Sequence, residues 1–119
     1  MRLMNQPVAR AAGGTIHATR LALRTGAVAV HLGGGFHHAQ PGAGLGFCVF
    51  NDVAVAIRRL RARGFTEPVL VVDLDQHDGN GTRQIFASFF QPVIIVRRRI
   101  ECHERNEIFL LHRCLGPSE

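Results

Sequence analysis

The sequence contains no lysine, no tyrosine and no tryptophan, and its 119 residues include three cysteines. Cys48, Cys102 and Cys114 form no CxxC pair, and an odd count argues against a disulfide framework. No apolar run approaches the roughly 20 residues that a membrane span requires, and no signal-peptide pattern opens the chain. These absences argue against a disulfide-stapled domain and a membrane helix, and we expect a cytoplasmic protein.

The positive charge of the chain comes from arginine alone. All 14 basic residues are arginine, the formal net charge is +5, and arginines cluster at 58–63 and 97–99. The first cluster ends a predicted helix, where cations complement the helix dipole and face solvent. No signature of a nucleic-acid-binding module accompanies it. We therefore expect no specific nucleic-acid binding, and we attribute the arginine bias to a GC-rich coding sequence.

Apolar patterning predicts helices and strands in alternation. The predicted order is helix 7–24 with Gly26 as its C-terminal stop, strand 27–31, a helix that Asn51 or Asp52 caps and that runs to about 63, strand 69–74, helix 82–89 and strand 92–96. This order is typical of an α/β fold with a parallel sheet flanked by helices. Residues 1–6 are predicted to be frayed, and residues 32–50 to form a long glycine-rich loop. The unbroken apolar strand 69–74 indicates burial on both faces.

Three polar residues follow the apolar run 69–72 at alternate positions, namely Asp73, Asp75 and His77. Successive strand side chains point to opposite faces, so these three share one side, about 6.6 Å apart along the strand. Two carboxylates and an imidazole at the carboxyl end of a strand suit a divalent metal better than a core. The plainer alternative is a polar cluster that bonds to turn amides. Haloacid-dehalogenase-like phosphatases also carry Asp-x-Asp after a strand, but with threonine or valine where His77 stands.

A second polar motif follows the other predicted strand end. Gly33, Gly34 and Gly35 lead through a phenylalanine to His37 and His38. Adjacent histidines on an irregular loop can both reach one cavity, and neutral imidazoles there can accept protons. Ligands of parallel α/β sheets bind outside the carboxyl ends of strands, which is where both motifs fall. On its own, such a histidine pair is more often simply exposed.

Three segments together resemble the zinc-dependent histone deacetylase family, which includes bacterial acetoin-utilisation proteins and acetylpolyamine amidohydrolases. These are GGFHHA at 34–39, GFCVFND at 46–52 and DLDQHDGNGT at 73–82. Their order and spacing match that family, and the resemblance covers about residues 12–96. It implies the arginase–deacetylase fold, here as a central piece that is incomplete at both ends.

The resemblance implies roles for residues of both motifs. Asp75 and His77 match two of the family's zinc ligands. Asp73 matches the carboxylate that supports the first active-site histidine and helps to hold a nearby monovalent cation. His37 and His38 match the two active-site histidines, of which the second is usually drawn as the general base.

Further matches concern the substrate channel and the second histidine. Phe47 matches the aromatic wall of the acyl-lysine channel, and Gly46 is its neighbour. Asn80 stands where many members have an aspartate that bonds to the second histidine, which marks a subgroup. The implied reaction is hydrolysis of acetylated lysine or polyamine-like amines, assisted by zinc or another divalent metal.

Two departures from the family pattern argue against full activity. The family's third zinc ligand is an aspartate well downstream, and no aspartate follows Asp78 here. The residue that stabilises the oxyanion is usually a tyrosine, and this chain has none. Metal-ligating types also occur in the last quarter of the chain, at His103, Glu104, Glu107 and His112. Their sequence context does not indicate that they replace the missing zinc ligand. We therefore expect weak or no activity from this chain.

Two other functions are compatible with the residues. One is a catalytically silent fragment or pseudoenzyme that binds a ligand or partner. The weaker one is an arginase-like manganese hydrolase, which is disfavoured because that branch pairs aspartates differently around its histidines.

The sequence also predicts a boundary within the chain. We expect a partial deacetylase domain over 7–96 and a tail over 97–119 of uncertain authenticity, for which a shifted reading frame is one origin. Because the family's sheet continues beyond 96, we expect strand 92–96 to leave an uncovered edge through which the chain can self-associate.

Overall fold

The computed structural model describes residues 2–87 and 93–97. The elements in chain order are α1 (Arg2–Thr25), α2 (Asp52–Arg61), β1 (Val69–Asp73), α3 (Asn80–Phe86) and β2 (Val93–Arg97). Strands β1 and β2 are parallel neighbours, with Val69 opposite Val93 and Asp73 opposite Arg97. The predicted α/β class with a parallel sheet is confirmed. The tail beyond Arg97 lies outside the described residues, so its predicted boundary is not tested.

The helix ends follow local chemistry. Helix α1 begins at Arg2, five residues before Pro7, so the predicted helix start is wrong. It ends at Thr25, and Gly26, the next residue, has a φ of 68° and donates its amide hydrogen to the Ala22 carbonyl. A left-handed residue at this position favours glycine, as the sequence predicted. No helix of the described chain is long and apolar enough to cross a membrane.

The predicted strand over 27–31 is absent from the described structure. This segment has no regular hydrogen-bonded structure, and the side chains of Val28 and Val30 are 92% and 76% exposed. A strand requires a neighbour for its amides and carbonyls, and no described strand pairs with this segment. Apolar composition alone therefore did not produce a strand.

The core lies between the helices and one face of the sheet. Ala54, Ile57 and Phe86 are buried there, and Val71 and Ile95 pack against them from the sheet. The opposite face carries apolar side chains that are 44–72% exposed, namely Leu70, Val72, Leu74 and Ile94. The prediction that β1 is buried on both faces is therefore wrong, because α2 and α3 cover one face alone.

Candidate active site

A fully buried carboxylate holds the loop that precedes the two histidines. Asp52, at the first position of α2, is 0% exposed. Its oxygens accept the amide hydrogen of Gly35 at 3.0 and 3.1 Å and that of Phe36 at 2.8 Å. They also accept the hydroxyl hydrogen of Thr15 at 2.6 Å, which ties the loop to α1. The backbone entering His37 is thus fixed by two helices.

The backbone leaving the histidines is fixed from α2 and α3. Asn51 caps α2 through its side-chain oxygen, which accepts from the Ala54 amide at 3.0 Å. Its amide nitrogen donates to the Thr82 hydroxyl at 2.9 Å and to the Ala39 carbonyl at 3.4 Å. The Thr82 amide in turn donates to the His37 carbonyl at 3.0 Å. Carbonyls on both sides of His38 therefore have partners.

Each histidine ring is oriented by its own partner. His37 Nδ1 lies 2.6 Å from Asp73 Oδ2, and His38 Nδ1 lies 2.8 Å from Asn80 Oδ1. Both partner oxygens are acceptors, so each ring donates from Nδ1 and, when neutral, keeps its Nε2 lone pair for accepting a proton. We call these four residues the histidine half of the site.

Glycines allow this close packing. A Cβ at position 81 would lie 2.6 Å from the His38 carbonyl carbon, and a Cβ at Gly79 would lie 2.6 Å from Asp73 Oδ2. Neither contact is sterically acceptable, since one involves backbone and the other a carboxylate that is already hydrogen-bonded to His37. The two glycines at the start of α3 are therefore needed for the histidine half to form.

Asp75 and His77 form the second part of the site, which we call the ligand half. Asp75 Oδ1 accepts the His77 amide hydrogen at 2.7 Å and lies 2.8 Å from His77 Nδ1. These bonds, the backbone one first, lower the pKa of Asp75 below its ordinary value. The Asp75 and His77 side chains are 50% and 61% exposed. The ligand half is therefore open to solvent.

The two halves converge at the carboxyl end of β1. His37 Nε2 lies 3.8 Å from Asp75 Oδ1. The ring centroids of His37 and His38 are 4.3 Å apart, and those of His38 and His77 are 5.8 Å apart. The structure thus brings together all five side chains that the two motifs were expected to place in one cavity.

The donor atoms of the ligand half match zinc in type but not in number. A carboxylate oxygen and an imidazole nitrogen are donors that zinc prefers, but a catalytic zinc takes three protein ligands. Among the described residues, no group of three or more histidine, cysteine, aspartate or glutamate side chains is arranged to hold a metal ion. Asp75 and His77 are thus a partial ligand set among the described residues.

Phe47 stands apart from the packed site. Its side chain is 106% exposed, and its backbone has a φ of 62°, a conformation that side chains with a Cβ rarely adopt. Gly46 before it has a φ of 55°, and a Cβ there would lie 2.6 Å from His38 Cδ2. An exposed aromatic on a strained backbone does not stabilise the fold by burial. Such outliers point to function.

Sequence reasoning missed the supporting roles of Thr15, Asp52 and Thr82. Asp52 was predicted only as an alternative helix cap to Asn51, and no pattern singled out either threonine. The available signal was the Asn51–Asp52 pair itself, because one residue suffices to cap a helix and a second polar residue needs another partner. Its partners are backbone amides 16 and 17 residues away, which spacing does not reveal.

Comparison with known proteins gives a consistent family assignment. The family model described as histone deacetylase domain matches residues 1–109. An uncharacterized protein of Picosynechococcus sp. is 51% identical over 76 residues, which cover 64% of this chain and 25% of that protein. The acetoin utilization protein AcuC of Staphylococcus xylosus is 39% identical over 94 residues, covering 78% of this chain and 24% of that protein.

Solved structures agree with these relatives. An HDAC homolog from Aquifex aeolicus is 38% identical with a TM-score of 0.66, covering 73% of this chain and 23% of that one. An HDAC homolog complexed with SAHA is 37% identical, with the same TM-score and coverage. The chain spans a quarter or less of the length of these relatives.

Proposed function

Because the chain belongs to the histone deacetylase family, we propose that it supplies the histidine half and two metal ligands of a metal-dependent amidohydrolase. The proposed substrates are acetylated lysine or polyamine-like acetylated amines. The observation that carries this proposal is the orientation of His37 and His38, each held through Nδ1 by a separate acceptor beside Asp75 and His77. This arrangement supports proton transfer to and from a bound amide.

The partners of the two histidines suggest different roles for them. Asp73 is a carboxylate that stabilises an imidazolium, so His37 is suited to carry a positive charge near the reacting atoms. Asn80 is neutral and fixes the orientation of His38 without adding charge. We assign to His38 the acceptance of a proton from water and to the resulting imidazolium its donation to the leaving amine.

The metal of the proposed site would be held in part by the ligand half. Asp75 and His77 would supply two ligands of a zinc site, and the remaining ligands would come from outside the described residues. Zinc, when bound, polarises an acetyl carbonyl and makes its water more acidic. A monovalent cation beside Asp73 is part of the same proposal, by resemblance to the family. The rest of the site would come from the part of the family domain that this chain does not span.

Phe47 forms a wall of the acyl channel in the proposed site, and Gly46 is its neighbour. The exposed ring of Phe47 is available to contact an aliphatic chain, and the left-handed backbone keeps it out of the core. An HDAC homolog of known structure is complexed with SAHA. SAHA is therefore a suitable probe of the proposed site here.

Zinc binding tests the ligand half directly. We expect the full chain to bind Zn²⁺ in calorimetric titration, and Asp75→Asn and His77→Ala to weaken that binding at least about tenfold. Asp78→Asn is the matched control, because Asp78 is a neighbouring exposed carboxylate that pairs with Arg83 instead. Equal binding by Asp75→Asn and Asp78→Asn would refute the assignment of Asp75.

Hydrolysis of an acetyl-lysine peptide with added zinc tests the reaction. We expect weak or no turnover, since the described ligand set is partial and the chain has no tyrosine to stabilise an oxyanion. Robust turnover that is lost in both His38→Ala and Asp75→Ala would show that the chain supplies a complete site. It would contradict the proposal that the remaining groups come from elsewhere.

The partial ligand set also favours a second candidate, a catalytically silent protein that binds an acetylated partner. The two candidates differ in one measurement. A silent binder retains an acetyl-lysine peptide with no release of acetate, and the binding requires Phe47 but is unaffected by His38→Ala.

A further inference from the structure

We propose that Asp52 is a positioning residue for His37 and His38, and that Thr15 and His31 keep its carboxylate in place. The inference rests on the proposed function in one respect, since it takes the two histidines as the proton-transfer residues. It adds a chain of polar groups that begins at His31, passes through Thr15 on α1 and Asp52 on α2, and ends at the backbone before His37.

Both oxygens of the Asp52 carboxylate accept hydrogen bonds from the histidine loop, and one also accepts from α1. Oδ1 accepts from the Gly35 and Phe36 amides, and Oδ2 accepts from the Thr15 hydroxyl and again from Gly35. Helix capping does not explain it, because Asn51 already caps α2. Buried carboxylates without hydrogen-bond donors are costly, whereas donors and the start of a helix stabilise the charge. The loop amides are therefore matched to this carboxylate.

Thr15 links Asp52 to a third histidine. The Thr15 hydroxyl has one hydrogen, which it donates to Asp52, so its contact of 3.1 Å with His31 Nδ1 requires that ring nitrogen to be the donor. The bonds then run in one direction, from His31 through Thr15 to Asp52. The chain ends on the Asp52 carboxylate, which holds the loop amides.

Two glycines make room for this chain of bonds. A Cβ at Gly14 would lie 2.6 Å from His31 Cε1, and a Cβ at Gly34 would lie 2.8 Å from Thr15 Oγ1. Gly13, next to Gly14 on α1, would place its Cβ in open space. Glycine is therefore required where the backbone passes close to the polar chain, at Gly14 and Gly34, and not at the neighbouring helix position Gly13.

The position of the loop determines the position of both rings. Phe36 precedes His37 directly, so a shift of the Phe36 amide moves the His37 backbone and changes the 2.6 Å contact with Asp73. Asp52 touches neither ring and acts through this backbone. Small displacements of proton-transfer groups slow catalysis. Asp52 therefore acts on the reaction by fixing the backbone that carries both rings.

The test compares two threonines on the same helix. Thr15→Val removes the donor to Asp52, whereas Thr19→Val removes a hydroxyl that bonds only to its own helix, at the Thr15 carbonyl. In the full chain, we expect Thr15→Val to speed hydrogen exchange of the Gly35 and Phe36 amides about tenfold, as the loss of a bond to a charged group implies. Thr19→Val should change the exchange rates of these two amides less than about twofold.

Ring signals give a readout that general stability does not move. In ¹H–¹⁵N spectra of labelled imidazoles, Thr15→Val should shift the Nδ1 signals of His37 and His38, and Thr15→Ser should restore them. Asp52→Asn should give a larger change of the same kind, provided that its circular dichroism matches that of the parent chain.

Two outcomes would overturn the inference. One is unchanged ring signals in Thr15→Val, and the other is equal acceleration of exchange in the Ile57 amide of α2, which would indicate general loosening of the fold. Neither readout needs turnover or metal. Failure of the proposed deacetylase function therefore leaves this test intact, and failure here leaves the zinc titration intact.

Discussion

Asp73 and Asp75 lie two residues apart at the end of the same strand, yet they have different surroundings. The Asp73 side chain is 16% exposed and bonds to a His37 ring that is 11% exposed, whereas the Asp75 side chain is 50% exposed. Asp75 shares its hydrogen bonds with His77, which is more exposed still. The histidine half is thus built into the fold, and the ligand half is left accessible to solvent.

This difference separates stability from binding within one site. Residues of the histidine half are bonded to elements of the core, so changing them should alter folding as well as chemistry. Residues of the ligand half bond mainly to each other, so changing them should alter metal binding with little effect on folding. The following predictions test that separation, in order of decreasing effect.

Gly81→Ala should have the largest effect on stability. The added Cβ would meet the Ala39 carbonyl oxygen and the His38 carbonyl carbon, which are backbone atoms and cannot turn away. We expect a loss of about 3 kcal/mol in the free energy of unfolding, measured by urea denaturation. Gly13→Ala is the control, and it should stabilise α1 by about 1 kcal/mol because its Cβ meets nothing within 4 Å. Equal effects would show that α3 does not pack tightly against the histidine loop.

Asp73→Ala and Asp75→Ala apply the same substitution to the two halves. Loss of Asp73 leaves the His37 ring and the Asp75 amide without their acceptor, and we expect a cost of about 2 kcal/mol. Loss of Asp75 should change the urea midpoint much less than loss of Asp73 and should weaken zinc binding instead. A large loss of stability in Asp75→Ala would contradict the division into two halves.

Phe47→Ala should leave the free energy of unfolding within about 0.5 kcal/mol, because the side chain is fully exposed. Phe86→Ala is the matched control, since Phe86 belongs to the core and its truncation should cost about 3 kcal/mol. Thermal unfolding of both variants measures the contrast. A clear loss of stability in Phe47→Ala would argue against its assignment to a substrate channel.

The smallest effect concerns the pH dependence of the turn at Asp75. Its hydrogen bonds to His77 lower its pKa in the folded chain, so their stabilising contribution is complete above the unfolded value of about 3.9 and is lost as the pH falls through the lower folded value. The amide proton shift of His77 should report this step in an NMR titration. Asp75→Asn should abolish the step, and a midpoint above the ordinary value would contradict it.

The sequence predicted the features that depend on local patterns. The spacing by two placed Asp73, Asp75 and His77 near one sheet edge, and Gly26 marked the end of α1. Strand alternation is not the reason for Asp75 and His77, because β1 ends at Asp73 and the carboxylates of Asp73 and Asp75 accept turn amides, as the plainer alternative expected. The parallel pairing of β1 and β2 followed from the order of elements. These features depend on residues that are close together in the chain or on the order of the elements, so sequence patterns can predict them.

Features that depend on distant partners were not predictable in this way. The segment 27–31 has the composition of a strand, but a strand also needs a paired neighbour, and none of the described elements provides one. Asp52 is a residue type that caps helices, but its carboxylate accepts hydrogen bonds from the amides of a distant loop. The cytoplasmic location and the predicted self-association stay predictions.

The Asn51–Asp52 pair also has a consequence for the order of folding. Its bonds to the histidine loop join residues 12–17 positions apart, whereas those from His37 to Asp73 and from His38 to Asn80 span 36 and 42 positions. Shorter loops cost less entropy to close. We therefore expect the start of α2 and the histidine loop to form together early in folding, so that β1 and α3 add the ring partners to a backbone already in place.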